Sequence, residues 1–464
     1  MTRPTLVASL LALLVVGISR PVGAGNVLLI IADDMGVERV GAYAEHPDVG
    51  PTPNLDALAA QGVLFRNAWA QPVCSPFRAS ALTGLQPSRH GVGYGIDPRR
   101  SERWTGLDPA LTNLPKLLSG AGVRSEALGK WHLAGEPDFT PLHPLLAGFA
   151  HHAGFLWGGT DYFSWNKTVD GVTSRVERYA TTDITDDAVA ALGGSDPFFL
   201  WVAFTAPHAP YHVPPADLHG YALDDVPLQG NVPLYHKAMV EALDTELGRL
   251  LAAVDLATTT VIFVGDNGTP RGATEPPRIK DHAKGTVYQG GLHVPLIVAG
   301  SAVAASSRGR ESAALVQATD LFATALELAG VPAPDGVAPE SVSIAPYLAA
   351  PGLPSLRRFA YAESFYPNGG PVDPATHQRA VRDARYKLLR RGLAPPELYD
   401  LAVDPLETTP LDLAALGPDE ALALDALAGE FERLAPLRGR RCGLGFEGAL
   451  AAAVLARALR ARRR

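Results

Sequence analysis

Two short segments end in acidic or amide side chains: Asp33 and Asp34 in "ADDMG", and Asp266 and Asn267 in "GDNG". Neighbouring carboxylates that face one site repel each other unless a cation offsets them, and Asp and Asn oxygens suit calcium or magnesium better than zinc. Either segment alone is ordinary in a helix cap or an Asx-turn; brought together they would form a hard-cation cluster. A third segment, "QPVCSPFRASALTG", sets Cys74 between a proline-containing turn and Arg78. Chance produces the spacing C-x-P-x-R about 0.015 times in a chain of this composition. Further on, "LGKWHL" brings Lys130 and His132 close together, and "TAPHAP" supplies His208. Such groups hold anions and carry protons, although a lone lysine or histidine is more often a solvated surface residue.

These residues act together only if the fold gathers them. "NVLLIIADDMG" is a short apolar run that stops abruptly in acids and a glycine, which predicts a buried central strand of a parallel sheet. "NLDALAAQGVLF" predicts a helix capped by Asn54 and closed by Gly62. The alternation continues with "LTNLPKLLSGAG" as helix, "RSEALGKWH" and "PFFLWVAFTAPHAP" as strands, "YHKAMVEALDTELGRLLAAV" as a long helix and "TTTVIFVGDNG" as a strand. Strands alternating with helices argue for an α/β sheet covered on both faces. In such sheets the site lies beyond the carboxyl ends of the strands. Those ends read Asp33-Asp34, Lys130-Trp131-His132, His208 and Asp266-Asn267. From about Ser355 the texture changes to short strands, "RRFAYAESF", "HQRAVRDARYKLLRR" and "PPELYDLAVDP", followed by a helix near Asp419 to Leu434, which predicts a smaller α+β domain.

The continuation of the Cys74 segment, "ASALTGLQPSRHG", makes the chain resemble the formylglycine-dependent type I sulfatases, arylsulfatase-like members of the alkaline phosphatase superfamily. The likeness runs from Asn26 to about Leu411 through seven ordered segments, among them "LGKWHL", "VIFVGDNG", "KGTVYQGGLHVPLIV" and "ELYDLAVDPLE". It implies a large mixed, mostly parallel sheet with helices on both faces and a short antiparallel sheet in the smaller C-terminal domain. It implies that Cys74 is oxidised by a formylglycine-generating enzyme to an aldehyde, whose hydrate is the nucleophile. It implies one divalent cation, calcium or else magnesium, on Asp33, Asp34, Asp266, Asn267 and the modified Cys74. Arg78 and Lys130 would hold the diol, Lys284 and His208 the sulfate and its leaving oxygen, and His132 would be the base that ends the cycle. The implied reaction converts a sulfate ester, of a small molecule or a carbohydrate, into an alcohol or phenol and inorganic sulfate. Phe77, Gln289 and His293 depart from the family's usual residues, the last two at supporting positions. A phosphate or phosphonate ester hydrolase on the same plan, and a noncatalytic binder of sulfated glycans, are the alternatives.

The whole chain sets the remaining bounds. At 464 residues and 47% hydrophobic it is long and apolar enough for a large core, and its net charge of -8 argues against a broad nucleic-acid surface. Residues 1–24 have a basic start, an apolar run from Leu6 to Ile18 and small residues at Gly23 and Ala24, the pattern of a secretory signal peptide. No later run is long enough to span a membrane, so the mature chain is expected to be exported, periplasmic or secreted. In an oxidising compartment Cys74 and Cys442 would ordinarily pair, but the surroundings of Cys74 favour chemical use of the thiol. The expected division is 25–354 for the catalytic domain, 355–440 for the smaller one and 441–464 for an arginine-rich tail. Substrate choice is expected from loops around Glu136 to Lys167 and from the C-terminal domain. There, Trp157, Trp165 and Tyr162 either wall the cleft or pack the core, whereas His151, His152, His212 and His282 are expected at the surface.

Overall fold

A computed structural model of the chain describes residues 25–194 and 197–434. The signal-peptide segment, Cys442 and the arginine-rich tail lie outside the described residues. The main sheet has ten strands in the spatial order Arg310–Gln317 (β10), Gly62–Trp69 (β2), Leu296–Gly300 (β9), Thr259–Gly265 (β8), Asn26–Ala32 (β1), Phe198–Ala203 (β7), Arg124–Lys130 (β3), His151–Phe155 (β4), Trp165–Val169 (β5) and Val172–Val176 (β6). From β8 through β4 every neighbour is parallel, and antiparallel pairings lie outside that block.

β1 shows why this block is central. Its residues alternate strictly between two cores: Val27, Leu29 and Ile31 face one, Leu28, Ile30 and Ala32 the other. The first core is closed by the helices Cys74–Thr83, Leu114–Gly120 and Asp320–Leu328, the second by Pro53–Gln61, Ala180–Leu192 and Val232–Ala253. A strand buried on both faces has no polar alternation, and the apolar run in the sequence reflects that.

One helix start differs from expectation. Asn54 does not cap its helix, because Pro53 already occupies the first turn after Thr52. The free backbone N–H groups of Asn54 and Leu55 instead donate to the Asp244 carboxylate at 2.9 and 2.8 Å, and the Asn54 side chain donates to it as well. Asp244, on the long helix, thus supplies from a distance the acceptor that a local cap would have given.

Ala360–Ser364 (β11), Gln378–Arg382 (β12), Tyr386–Arg391 (β13) and Glu397–Asp400 (β14) form a second, antiparallel sheet. One face packs on Trp69, Val287, Tyr288, Leu292 and Leu315, and the other is covered by the helix Pro418–Arg433 through Leu424, Leu427 and Phe431. At the junction the fully buried Lys387 Nζ meets Glu407 Oε1 at 2.6 Å. No helix among the described residues is long and apolar enough to cross a membrane.

Gly129 fixes how β3 delivers its last residues. It has φ +90°, and a methyl group there would strike the carbonyl oxygen of Ala203 on β7. Gly129→Ala should therefore destabilise the protein by about 1–3 kcal/mol in denaturant unfolding; an unchanged midpoint would contradict this.

Candidate active site

The carboxyl ends of β1, β3, β7 and β8 converge. Asp33 and Asp34 follow β1, Asp266 and Asn267 follow β8, Lys130 is the last residue of β3, and His208 lies five residues beyond β7. Asp34 and His132 take left-handed backbone conformations, φ 70° and 57°, as the chain turns out of β1 and β3. Trp131 goes into the core, while Lys130 turns to Asp33 and Cys74 and His132 lines the cavity. Cys74 begins the helix Cys74–Thr83, every residue of which is buried.

Cys74 is a buried free thiol. Its Sγ lies 3.2 Å from Asp33 Oδ1, 3.5 Å from Lys284 Nζ and 3.6 Å from Lys130 Nζ. Lys130 also pairs with Asp33, and Lys284 with Asp34. Arg78, which is fully buried, places Nη2 2.9 Å from Asp266 and 3.5 Å from Asp33, and its Nη1 donates to the Lys130 carbonyl at 2.7 Å. His208 Nε2 stands 3.9 Å from Asp34 Oδ2. All ten residues expected at the site are therefore brought to this one region except that His132 reaches it through the cavity wall.

The electrostatics show how tightly charge is packed. Burial and the Asp33 carboxylate push Asp266 up to about 6. Burial works the same way on Asp33, yet Lys130, His208, Arg78 and Lys284 together hold it far below the usual carboxylate range. Burial, with Asp266 and Asp33, drives the Cys74 thiol far above its ordinary value, against the pull of Lys130 and Lys284. Burial, then Lys130 and Arg78, keeps His132 neutral well below its usual pKa. Its Nε2 faces the Ile96 carbonyl at 3.0 Å, an acceptor only, which puts the proton on Nε2 and leaves Nδ1 with its lone pair and no hydrogen-bond partner.

Asn267 tests whether these groups fit a cation. Its Nδ2 donates to Asp34 Oδ1 at 2.7 Å, but its Oδ1 is buried with no donor. One ligand atom from each of Asp33, Asp34, Cys74 and Asp266 lies within 4.8 Å of the others. An orphaned amide oxygen beside three buried carboxylates is a hard-oxygen donor set of the kind calcium or magnesium takes. The residues fit the ion.

A cavity of about 590 Å³ opens beside Cys74, His132, His208 and Lys284. Trp157 lines it and is 36% exposed. Trp165 and Tyr162 are core residues instead: Trp165 packs edge-on against Phe155, and Tyr162 donates to the His208 carbonyl at 2.7 Å from beneath. His152 is not at the surface as expected; it is buried on β4, an interior strand flanked by β3 and β5. His151, His212 and His282 are half-buried and outside the cavity lining. Gln289 and His293 do support local geometry: Trp69 Nε1 donates to Gln289 Oε1 at 2.7 Å, and His293 Nε2 donates to the Arg66 carbonyl at 2.8 Å. Sequence reasoning missed Ser75, which donates to the His132 carbonyl and accepts from the Ile96 amide. It also missed the segment from Tyr94 to Arg103, which supplies much of the cavity lining. The only signal there was the density of arginine in "PRRSERW" shortly after Cys74.

The family model described as Sulfatase matches residues 25–331, and that of the N-sulphoglucosamine sulphohydrolase C-terminal region matches residues 281–414. N-acetylgalactosamine-6-sulfatase of Sus scrofa is 32% identical over 365 residues, which cover 69% of this chain and 65% of that protein. The chain thus spans just under two thirds of that relative's length. Arylsulfatase A of Homo sapiens is 29% identical over 468 residues, covering 87% of this chain and 86% of the relative. The crystal structure of Ps i-CgsB in complex with k-i-k-neocarrahexaose superimposes with a TM-score of 0.75 at 25% identity, over 93% of this chain and 98% of that one. A match over well over half of the chain, spanning every acid, base and cation gathered around Cys74, makes this chain a member of the sulfatase family.

Proposed function

We propose that the chain hydrolyses a sulfate ester, carried by a carbohydrate or another small molecule, to an alcohol or phenol and inorganic sulfate. The observation that carries this reading is the position of Cys74, whose Sγ has Asp33 at 3.2 Å and the Lys284 ammonium at 3.5 Å. The aldehyde that a formylglycine-generating enzyme forms from Cys74 supplies, once hydrated, a nucleophilic oxygen and a second hydroxyl whose loss of a proton frees sulfate. Asp33, Asp34, Asp266 and Asn267 would hold a calcium or magnesium ion, which would supply Lewis-acid charge.

The chain's own residues divide the rest. Arg78 and Lys130, both fixed by buried carboxylates, hold the side chain at position 74 in one orientation. Lys284 holds a sulfate oxygen where negative charge grows. His208 gives a proton to the departing oxygen; burial lowers its pKa, and the charge of an arriving sulfate opposes that shift. His132 takes a proton on Nδ1, the nitrogen left with its lone pair. Ps i-CgsB was crystallised with an oligosaccharide, which supports a carbohydrate ester as the substrate class. The signal-peptide pattern of residues 1–24 supports action outside the cytoplasm.

A phosphate ester hydrolase is the second reading, since the two tetrahedral anions have similar shapes. The described residues contain one acidic cluster able to hold an ion, which favours sulfate over a two-metal phosphatase plan. With matched aryl esters, kcat/KM for the sulfate should exceed that for the phosphate; a clear preference for phosphate would reverse the assignment. His208→Ala should slow an alkyl sulfate by roughly 10²- to 10⁴-fold and an activated aryl sulfate much less, because a good leaving group needs no proton. Equal losses on both would remove His208 from the acid role. Chelation should abolish turnover and lower the melting temperature, and added calcium at a hundredfold excess over its Kd should return about 2.7 kcal/mol of stability. No change in melting on chelation would count against the ion.

A further inference from the structure

The chemistry above leaves the outer lining of the cavity unused. Arg103 lies there between two rings, its Cζ 4.0 Å from the centroid of Tyr94 and 5.2 Å from that of Tyr366. Tyr94 follows the Cys74 region, whereas Tyr366 comes from the loop between β11 and β12, so two segments far apart in the chain clamp the guanidinium. Asn368, buried in that same loop, accepts from the Gly93 and Tyr94 amides at 3.0 and 2.9 Å and extends Nδ2 towards the Arg103 carbonyl at 3.4 Å. The clamp is therefore rigid before any ligand arrives.

Arg103 is also uncompensated. Its Nε is buried without a hydrogen-bond partner, and no ion pair neutralises it among the described residues. The other cations of the lining are paired: Arg99 with Asp97 at 2.9 Å, and Lys284 with Asp34. A pre-oriented guanidinium with no counter-ion, facing a cavity, is a receptor for a carboxylate or sulfate.

A second feature shares that cavity. Trp157 stacks on Phe139 at 5.0 Å and on Trp104 at 5.7 Å, both with an interplanar angle of 17°, and Trp157 and Phe139 each remain 36% exposed. Three rings packed on one another hold the exposed face of Trp157 in place, and an open aromatic face with an anion site nearby suits an acidic sugar ring.

We propose that the substrate is a sulfated saccharide bearing a second anionic group, a carboxylate or a further sulfate, with Arg103 binding that second anion and Trp157 stacking on a sugar ring. Arg103 is then a specificity-determining residue. This rests on the sulfate-ester reading and narrows it.

The test uses the full chain with Cys74 converted. Sulfate release is followed from 4-nitrophenyl sulfate, from a sulfated disaccharide containing a uronate, from the same disaccharide with its carboxylate reduced to an alcohol, and from that reduced sugar carrying a second sulfate. The native enzyme should favour the uronate or the doubly sulfated sugar over the singly sulfated, reduced one by roughly 10- to 100-fold in kcat/KM. Whichever of the two is preferred identifies the anion. Arg103→Gln should bring that ratio close to one, Arg103→Lys should keep part of it, and Trp157→Ala should lower all the sugars relative to 4-nitrophenyl sulfate. A native ratio near one overturns the proposal, whether or not Arg103→Gln folds. So does an Arg103→Gln enzyme that loses every substrate in proportion, since that is the mark of a purely structural clamp. Absence of sulfate release from all four esters would instead sink the sulfatase reading itself.

Discussion

Three carboxylates and an amide oxygen are buried within a few ångströms of one another at the ends of adjacent strands, and much of the surrounding structure serves to make that arrangement tolerable. Burying unpaired like charges is costly enough that the groups would otherwise neutralise or refuse burial. Here Arg78, Lys130 and Lys284 offset them, each from a different element: the Cys74 helix, β3 and the long loop between β8 and β9. The opposite shifts of Asp33 and Asp266, one held far down and the other pushed up, show that the three cations do not offset the three carboxylates evenly.

The sheet makes this crowding repeatable. β1 is paired in register with β7 on one side and β8 on the other, so Asp33 and Asp266 must emerge side by side. The smaller sheet contributes support by two routes. Glu407, paired with the buried Lys387, accepts from the backbone amide of Gln289 and so anchors the segment that follows Lys284. Tyr366 and Asn368 reach the opposite side and fix the wall that carries Arg103. The catalytic groups and the Arg103 wall thus draw on different segments of the chain but share one cavity.

Much of this was legible in the sequence, because the chemistry sits at strand ends and strand ends are marked by abrupt changes from apolar to polar residues. "NVLLIIADDMG" and "VIFVGDNG" show the transition directly, and the Cys74 motif adds a spacing that chance seldom produces. What remained hidden depends on residues far apart in the chain. Asp244 capping a helix at Asn54, 190 residues away, leaves no local trace. The burial of His152 depends on β5 covering its strand, and the role of Trp157 as wall rather than core depends on Phe139 and Trp104 stacking beneath it. Ser75 left no trace for the same reason, and the Tyr94–Arg103 wall left only the arginine density of "PRRSERW": their meaning lies in which loop folds back against them.

The account stands or falls on the chemical state of one side chain. The most direct measurement is the mass of the tryptic peptide "NAWAQPVCSPFR", Asn67 to Arg78, from protein made in its native host. The account predicts an aldehyde in place of the Cys74 thiol. An intact thiol throughout the active protein, or a disulfide to Cys442, would contradict it.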